Sequence, residues 1–315
     1  MSKLAALLVA FLLVTAAPAA AQPIACGDSI GPGKVTFTAD VGPCTSATDP
    51  ALTIQGPAKV DMAGFSIACD GMNPPNVGIE LAGKGVQLAG GTVSDCGVGF
   101  HLAGAGKHKL EAVLAEGAAG DGILIDSDGN KVRRVAANGN GDEGVEVNGS
   151  SNKLEEVAAV GNGDGGFRID GNGNSLKKVV ATRNSRDGLF DVAGGTKIKD
   201  AAFLENGEDG ADLAGSGASL EKSVLVRNGD VIGAGIYLDG NQNRAKQNRV
   251  FDNQPDGIQT DSSAQGSTIQ KNVAIGHEVD LLDGSAGGTC GSNQWKKNVF
   301  ATSAADGNPG AACIE

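Results

Sequence analysis

The chain predicts an all-β solenoid of about ten coils, each of about 22 residues, a period that marks a repeat architecture. Three features of the sequence carry that expectation. The first is the fixed period itself. Segments 121–142, 143–164, 165–186 and 187–208 are equal in length and restart on Asp-Gly, Glu-Gly or Gly-Gly. Segments 209–233, 234–255 and 256–279 continue the series, and weaker copies begin at Val77, Val98 and Asp280. The second feature is an alternating stretch in each unit, such as Ile123-x-Ile125 or Val145-x-Val147, bounded by glycine-rich turns; period-two alternation of this kind reads as a short strand. The third is an asparagine recurring at one position, as Asn140, Asn162, Asn184, Asn206, Asn228 and Asn253.

Each part of the chain has its own justification. Residues 1–21 read as a secretory signal peptide, with Lys3 before the apolar run Leu4–Ala17 and small residues Ala19 and Ala21 before Gln22. That run is short for a membrane span, which needs roughly 20 apolar residues. Residues 22–76 form an N-terminal cap and first coils, 77–279 the repeats, and 280–315 a last coil and cap. Loss of the leader removes one of the 25 basic residues, leaving 24 against 37 acidic, a net of −13. So acidic a chain is a poor match for nucleic acid, whose phosphates need clustered Lys and Arg. The expected location is secreted, either extracellular or periplasmic, and the expected state is a monomer with no transmembrane segment.

Six cysteines support an oxidising compartment: Cys26 and Cys44, Cys69 and Cys96, Cys290 and Cys313. Fifteen connectivities are open to six cysteines, and pairing of nearest neighbours is the simplest. It staples both ends and leaves the middle free.

The second apolar stretch of each unit, Val132, Val135, Ala137 and then Leu154, Val157, Ala159, fits the spacing of leucine-rich repeats. Against that fold, the remainder of each unit is Gly, Asn, Asp and Ser with no helical periodicity. Calcium-binding nonapeptide repeats have a shorter period. Asn243, Asn248 and Asn253, with Ala245 and Val250 between them and "DGI" following, resemble the repeat of the right-handed parallel β-helix, or pectate-lyase-like, superfamily. "VDMAGFSIACDG" resembles its opening coils, and "CGSNQWKKNVFATS" the closing segment of its secreted bacterial members. The resemblance covers nearly the whole mature chain. It implies short parallel strands stacked at ~4.8 Å, asparagine ladders between coils and capped ends. Glycine after each acidic residue is expected to permit turn geometry closed to other residues.

If the apolar residues of the first strand point inward, its other residues form an outward stripe. The stripe comprises Leu124 and Asp126, Glu146 and Asn148, Arg168 and Asp170, Asp212, Tyr237 and Asp239, Gln259 and Asp261. In "GLFDV" the expectation is that Phe190 and Val192 point inward and Asp191 outward. Carboxylates accept sugar hydroxyls and a tyrosine ring offers an apolar face to a pyranose. The stripe therefore suggests a polysaccharide groove, with Glu146, Asp212, Tyr237 and Asp261 binding substrate. Arg168, Asp170, Asp191 and Asp239 are the candidates for acid, base or nucleophile, because glycoside chemistry uses paired carboxylates. Pairs such as Asp170 with Asp191, or Asp239 with Asp261, are also candidate ligands for Ca²⁺. A second stripe of charged doublets, from Arg133-Arg134 to Glu221-Lys222, alternates in sign and reads as structural. His101, His108 and His277 read as surface residues, and Trp295 as part of the C-terminal cap.

The motifs of polygalacturonases and alginate epimerases do not occur; the one Asp-Pro, at Asp49-Pro50, is followed by Ala51. Three functions follow in order: a secreted protein that binds a polysaccharide, a lyase, hydrolase or epimerase acting on a uronate-containing polymer, and a structural or adhesive rod.

Overall fold

The computed structural model describes residues 23–229, 233–284, 290–305, 308–309 and 313–314, so the proposed leader lies outside the described residues. Each coil makes three runs of extended chain around a triangular core, giving three outer faces. The first face is a single 14-stranded sheet that begins with Asp28–Ile30. It continues through strands such as Ile123–Ile125, Val145–Val147, Phe167–Ile169 and Leu189–Asp191. Every pairing in it is parallel except the last, where Ala304 faces Pro309. Thirteen parallel strands at ~4.8 Å make a rod of roughly 58 Å.

That exceeds the ten coils expected. The additional coils lie in the caps, where Asp28 faces Leu52 and Leu52 faces Ile79. These steps, 24 and 27 residues, differ from each other and from the 22 of the four regular repeats, so the regular period of the sequence does not reach them.

The corners explain the glycine and asparagine. Between the second and third faces the chain turns through a left-handed residue, Arg134 (φ 54), Glu156 (φ 58), Lys178 (φ 54), Asp200 (φ 56) or Lys222 (φ 55). The next residue, such as Val157 or Val179, is buried. The third corner repeats this with Gly139, Gly161, Arg183 and Glu205 before Asn140, Asn162, Asn184 and Asn206. Each of those asparagines is buried and ties two coils together. The Oδ1 of Asn162 accepts both the backbone N–H and the Nδ2–H of Asn140, each at 3.0 Å. Asn184 does the same for Asn162 at 3.0 and 2.9 Å.

The glycine after each acidic residue serves another purpose than expected. Gly122, Gly144, Gly166, Gly188 and Gly210 are not among the positive-φ residues. A Cβ on Gly188 would stand 2.6 Å from the Gly210 carbonyl oxygen and 2.8 Å from Nδ2 of Asn206. These glycines let the backbone pass the asparagine ladder.

Two histidines also belong to ladders, against the expectation of surface positions. The His277 side chain is fully buried. It extends the Asn140–Asn253 series, with Nε2 accepting from Asn253 Nδ2 at 3.2 Å and Nδ1 donating to Asp280 Oδ1 at 2.9 Å. His108 heads the series Asn130, Asn152, Asn174, accepting from the Val86 N–H at 3.1 Å and donating to the Ala103 carbonyl at 2.7 Å. Burial lowers both imidazole pKa values and keeps the rings neutral. His101 is outward and meets Asp126 at 2.8 Å.

The disulfides join Cys26–Cys44, Cys69–Cys96 and Cys290–Cys313, the nearest-neighbour pattern. Trp295 packs in the C-terminal cap, 2% exposed, and its Nε1–H donates to Asp283 at 2.7 Å. No helix of the described residues is long and apolar enough to cross a membrane.

Candidate functional site

Alternation on the first face fixes what points outward. In each three-residue strand the outer two side chains are buried and the middle one is partly exposed, as in Val145-Glu146-Val147 and Phe167-Arg168-Ile169. Parallel register then lines the middle residues up from coil to coil: Glu146, Arg168, Phe190, Asp212, Tyr237, Gln259. The residue after each strand adds Asn148, Asp170, Asp239 and Asp261 beside that lane, all outside the core. The expected binding residues Glu146, Asp212, Tyr237 and Asp261 thus share one face with Arg168, Asp170 and Asp239.

Asp191 does not. Its register places Leu189 under Phe167 and Asp191 under Ile169, so Asp191 points into the core and is fully buried. Phe190 takes the outward position and Val192 is exposed. The alternation in "GLFDV" admitted both phases; the coil follows its neighbours because a one-residue slip would break the stack. Inside, Asp191 Oδ1 accepts from Thr196 Oγ1 at 3.0 Å, while Oδ2 has no partner. Burial raises its pKa, with the Thr196 bond opposing. The carboxyl cannot touch a polymer, which removes it from the catalytic candidates and from a calcium pair with Asp170.

The lane is internally organised. Arg168 Nε lies 3.1 Å from Asp170 Oδ2, and its guanidinium lies 5.4 Å from the centroid of the Phe190 ring. The Tyr237 hydroxyl donates to Asp261 Oδ2 at 2.8 Å. Asp261 also accepts from the Ser263 N–H at 2.7 Å and the Ser263 hydroxyl at 2.8 Å. Led by the Ser263 backbone bond, these contacts hold Asp261 at about 2, ionised at neutral pH. Asp212, between the two aromatic rings, is pushed up to about 8 by burial and by the neighbouring carboxylates, Asp209 first.

A further carboxylate lane was not anticipated. The acidic residues of the Asp-Gly and Glu-Gly pairs form the edge of this same face. Asp187 Oδ1 accepts the Asp209 N–H at 2.8 Å, and Asp121 Oδ1 accepts the Glu143 N–H at 3.2 Å, so each side chain bridges to the following coil. Burial raises Asp121 to about 8, Glu143 to about 7, Asp187 to about 6 and Asp209 to about 7. The signal was in the sequence, since an acidic residue opened most repeats, but it reads equally as turn chemistry. Carboxylate oxygens of Asp121, Glu143 and Glu146 lie within 4.8 Å of one another, as do those of Asp142, Glu143 and Asp164. Such all-oxygen sets suit a hard cation. A recess of about 610 Å³ lies elsewhere, around Gly90, Gly91, Val113 and Val135; it is open and bears no chemical group beyond Arg134 and Thr92.

Comparison with known proteins places the fold. The sequence profile described as the right handed beta helix region matches residues 69–177 and 121–274, and the chain belongs to that family. Among solved structures it is similar to the A-module of the Azotobacter vinelandii mannuronan C-5 epimerase AlgE4. That match has 14% identity and a TM-score of 0.64, covering 88% of this chain and 86% of that one. It is also similar to the periplasmic alginate epimerase AlgG, at 10% identity and TM-score 0.53, covering 79% of this chain and 76% of that one. The catalytic domain of a GH87 alpha-1,3-glucanase matches at 12% identity and TM-score 0.60, over 94% of this chain and 62% of that one. No curated protein matches the sequence.

Proposed function

We propose that this β-helix protein is secreted and binds a polysaccharide along its first face. The observation that carries the reading is the register of Phe190, Asp212 and Tyr237 on three successive coils. Two rings one strand spacing either side of a carboxyl offer apolar platforms to sugar rings and an acceptor or donor to their hydroxyls. Structural neighbours named as mannuronan epimerase, alginate epimerase and glucanase support the class of partner. The disulfides support an oxidising compartment.

Turnover is the second reading, and one observation favours it. Asp212 is raised to about 8 and Asp261 held at about 2 on either side of Tyr237. Carboxyls pushed apart in this way can serve as acid and base. Arg168, held by Asp170, and the outward Asp239 are the remaining candidates for that chemistry. If calcium takes part, Asp121, Glu143 and Glu146 are the better-placed ligands, and the ion would supply positive charge for a carboxylate on the polymer.

The test is equilibrium co-sedimentation of mature protein with uronic-acid and neutral polysaccharides, with and without calcium, while following unsaturated-product absorbance and polymer size. Tyr237→Ala and Asp212→Asn are each expected to weaken binding about tenfold, as loss of ~1.4 kcal/mol would do. Glu143→Gln is expected to abolish any calcium dependence. Unchanged binding in both Tyr237→Ala and Asp212→Asn would contradict the site; product formed by wild type and lost in Asp212→Asn would make the protein an enzyme.

A further inference from the structure

The second face carries a charge pattern that its neighbour lane makes conspicuous. The first outward residue of each second-face strand lines up in the order Lys34, Lys59, Gln87, Lys109, Lys131, Lys153. The lane continues through Ser175, Lys197, Ser219 and Arg244 to Thr268 and Gln294. No acidic residue occurs in it. The six lysines are exposed, and none has a carboxylate within 4.0 Å among the described residues. Two residues along the same strands, the adjacent lane reads Glu111, Arg133, Glu155, Lys177. There opposite signs face each other except where Lys177 meets Lys199, and Lys177 pairs with Glu155 at 3.5 Å, while Arg244 of the lysine lane reaches across to Glu221 at 3.2 Å.

Like charges stacked at one strand spacing are destabilising. Lys109, Lys131 and Lys153 on consecutive coils therefore cost stability that the neighbouring lane shows to be avoidable on this very surface. The chain carries an excess of acid overall, so a lane without acid is not a consequence of composition. The lane also has shape. One recess of about 250 Å³ opens between Lys59, Gln87 and Lys109 of the lane and Asp61, Ala89 and Glu111 of the next, where the short Ala89 interrupts the adjacent lane. A second of about 250 Å³ lies between Lys197 and Ser219 of the lane and Lys199 and Glu221 beside it.

We propose that this lysine lane is a second binding site, distinct from the first face, for a linear anionic polysaccharide lying along the rod. Three arguments select that partner. The lysines repeat at ~4.8 Å or its multiples, a spacing suited to acidic groups borne by successive sugar residues. Duplex DNA presents one phosphate of each strand roughly every 3.4 Å of helix axis, on a winding path out of step with the lane. An anionic bilayer is a plane and would bring its headgroups against Glu111, Glu155 and Glu221 as well, whereas a single polymer chain can follow the lysines alone. Lysine, a mobile point charge on a long stem, suits a polymer that is held in many registers rather than one.

The experiment uses affinity electrophoresis of mature protein in gels containing polygalacturonate, at several salt concentrations. The triple variant Lys109→Gln, Lys131→Gln, Lys153→Gln is expected to lose at least tenfold in affinity and to show a shallower salt dependence. A control triple of equal charge change in the next lane, Lys177→Gln, Lys199→Gln, Lys246→Gln, is expected to stay within about threefold of wild type, a loss of under ~1 kcal/mol. Lysine-to-arginine replacement at 109, 131 and 153 is expected to retain binding, which excludes misfolding as the cause. Equal loss in the two glutamine triples, absence of retardation by wild type at low salt, or tighter binding of duplex DNA or anionic vesicles through the same three lysines would overturn the proposal. The lane triple is expected to keep first-face binding, so failure of either site leaves the other standing.

Discussion

Asp191 and Asp212 come from adjacent coils of one sheet and differ by a single step of alternation, yet their circumstances are opposite. Asp191 replaces an apolar residue in the core column between Ile169 and Leu213, with one oxygen unpartnered. A buried polar group that is only half satisfied costs stability, and replacing it and its remaining partner by apolar groups of similar shape removes the cost. Asp191→Leu together with Thr196→Val is therefore expected to be neutral or stabilising by up to about 2 kcal/mol, read as the midpoint of urea unfolding, whereas Asp191→Leu alone leaves the buried Thr196 hydroxyl without its acceptor; a loss above that size in the double variant would show that the carboxyl has a role. Gly188→Ala should do the reverse. The added methyl meets backbone and ladder at 2.6 and 2.8 Å, and overpacking of this kind costs about 1–3 kcal/mol. Alternation in the sequence identified the stripe but not its phase at "GLFDV", because Leu189, Phe190 and Val192 are all apolar. Phase there is set by stacking on Phe167 and Ile169, a contact one full coil away.

At the scale of the element, the asparagine ladder was legible because a single residue type recurs at one position. Its energetic role follows from burial. Asn184 accepts two bonds from Asn162 and gives its own N–H and Nδ2–H to Asn206. Asn184→Ala leaves buried donors of the preceding coil without an acceptor, a cost of about 1–3 kcal/mol each, and should lower the unfolding midpoint. The ladder's ends were illegible, since His108 and His277 break the residue type while keeping the position. The carboxylate lanes make a pH prediction. Asp212, Asp121, Asp209 and Glu143 all have folded values raised to between about 7 and 8. The folded chain keeps protons that the unfolded chain gives up near 4, so their favourable contribution is complete below that value and is lost as pH rises through 7 and 8. Thermal midpoints should fall between pH 5 and pH 9, and Asp212→Asn should flatten the fall; a midpoint that rises over this window would contradict the burial of these groups.

Across the whole molecule, the three faces have separate chemistry: carboxylates and aromatic rings on the first, the lysine lane on the second, and apolar residues such as Leu204, Val226, Phe251 and Ile275 on the third. Net charge hides this division, because it sums over faces that never meet. The lysine lane is not legible in the sequence, because its members lie a full coil apart among residues of mixed charge. The ends are held by disulfides, and removing Cys290–Cys313 opens a loop with a separation of 23 residues. Loss of such a crosslink costs about 3 kcal/mol, and Cys290→Ser with Cys313→Ser should fray the cap around Trp295, visible as faster amide exchange there. The central claim is that a glycan lies on the first face. Its most direct test is side-chain footprinting of mature protein with and without a saturating polysaccharide from the binding panel. The account predicts protection of Phe190, Tyr237 and their outward neighbours, with the third face labelled as before. Full labelling of Phe190 and Tyr237 in the saturated complex would contradict it.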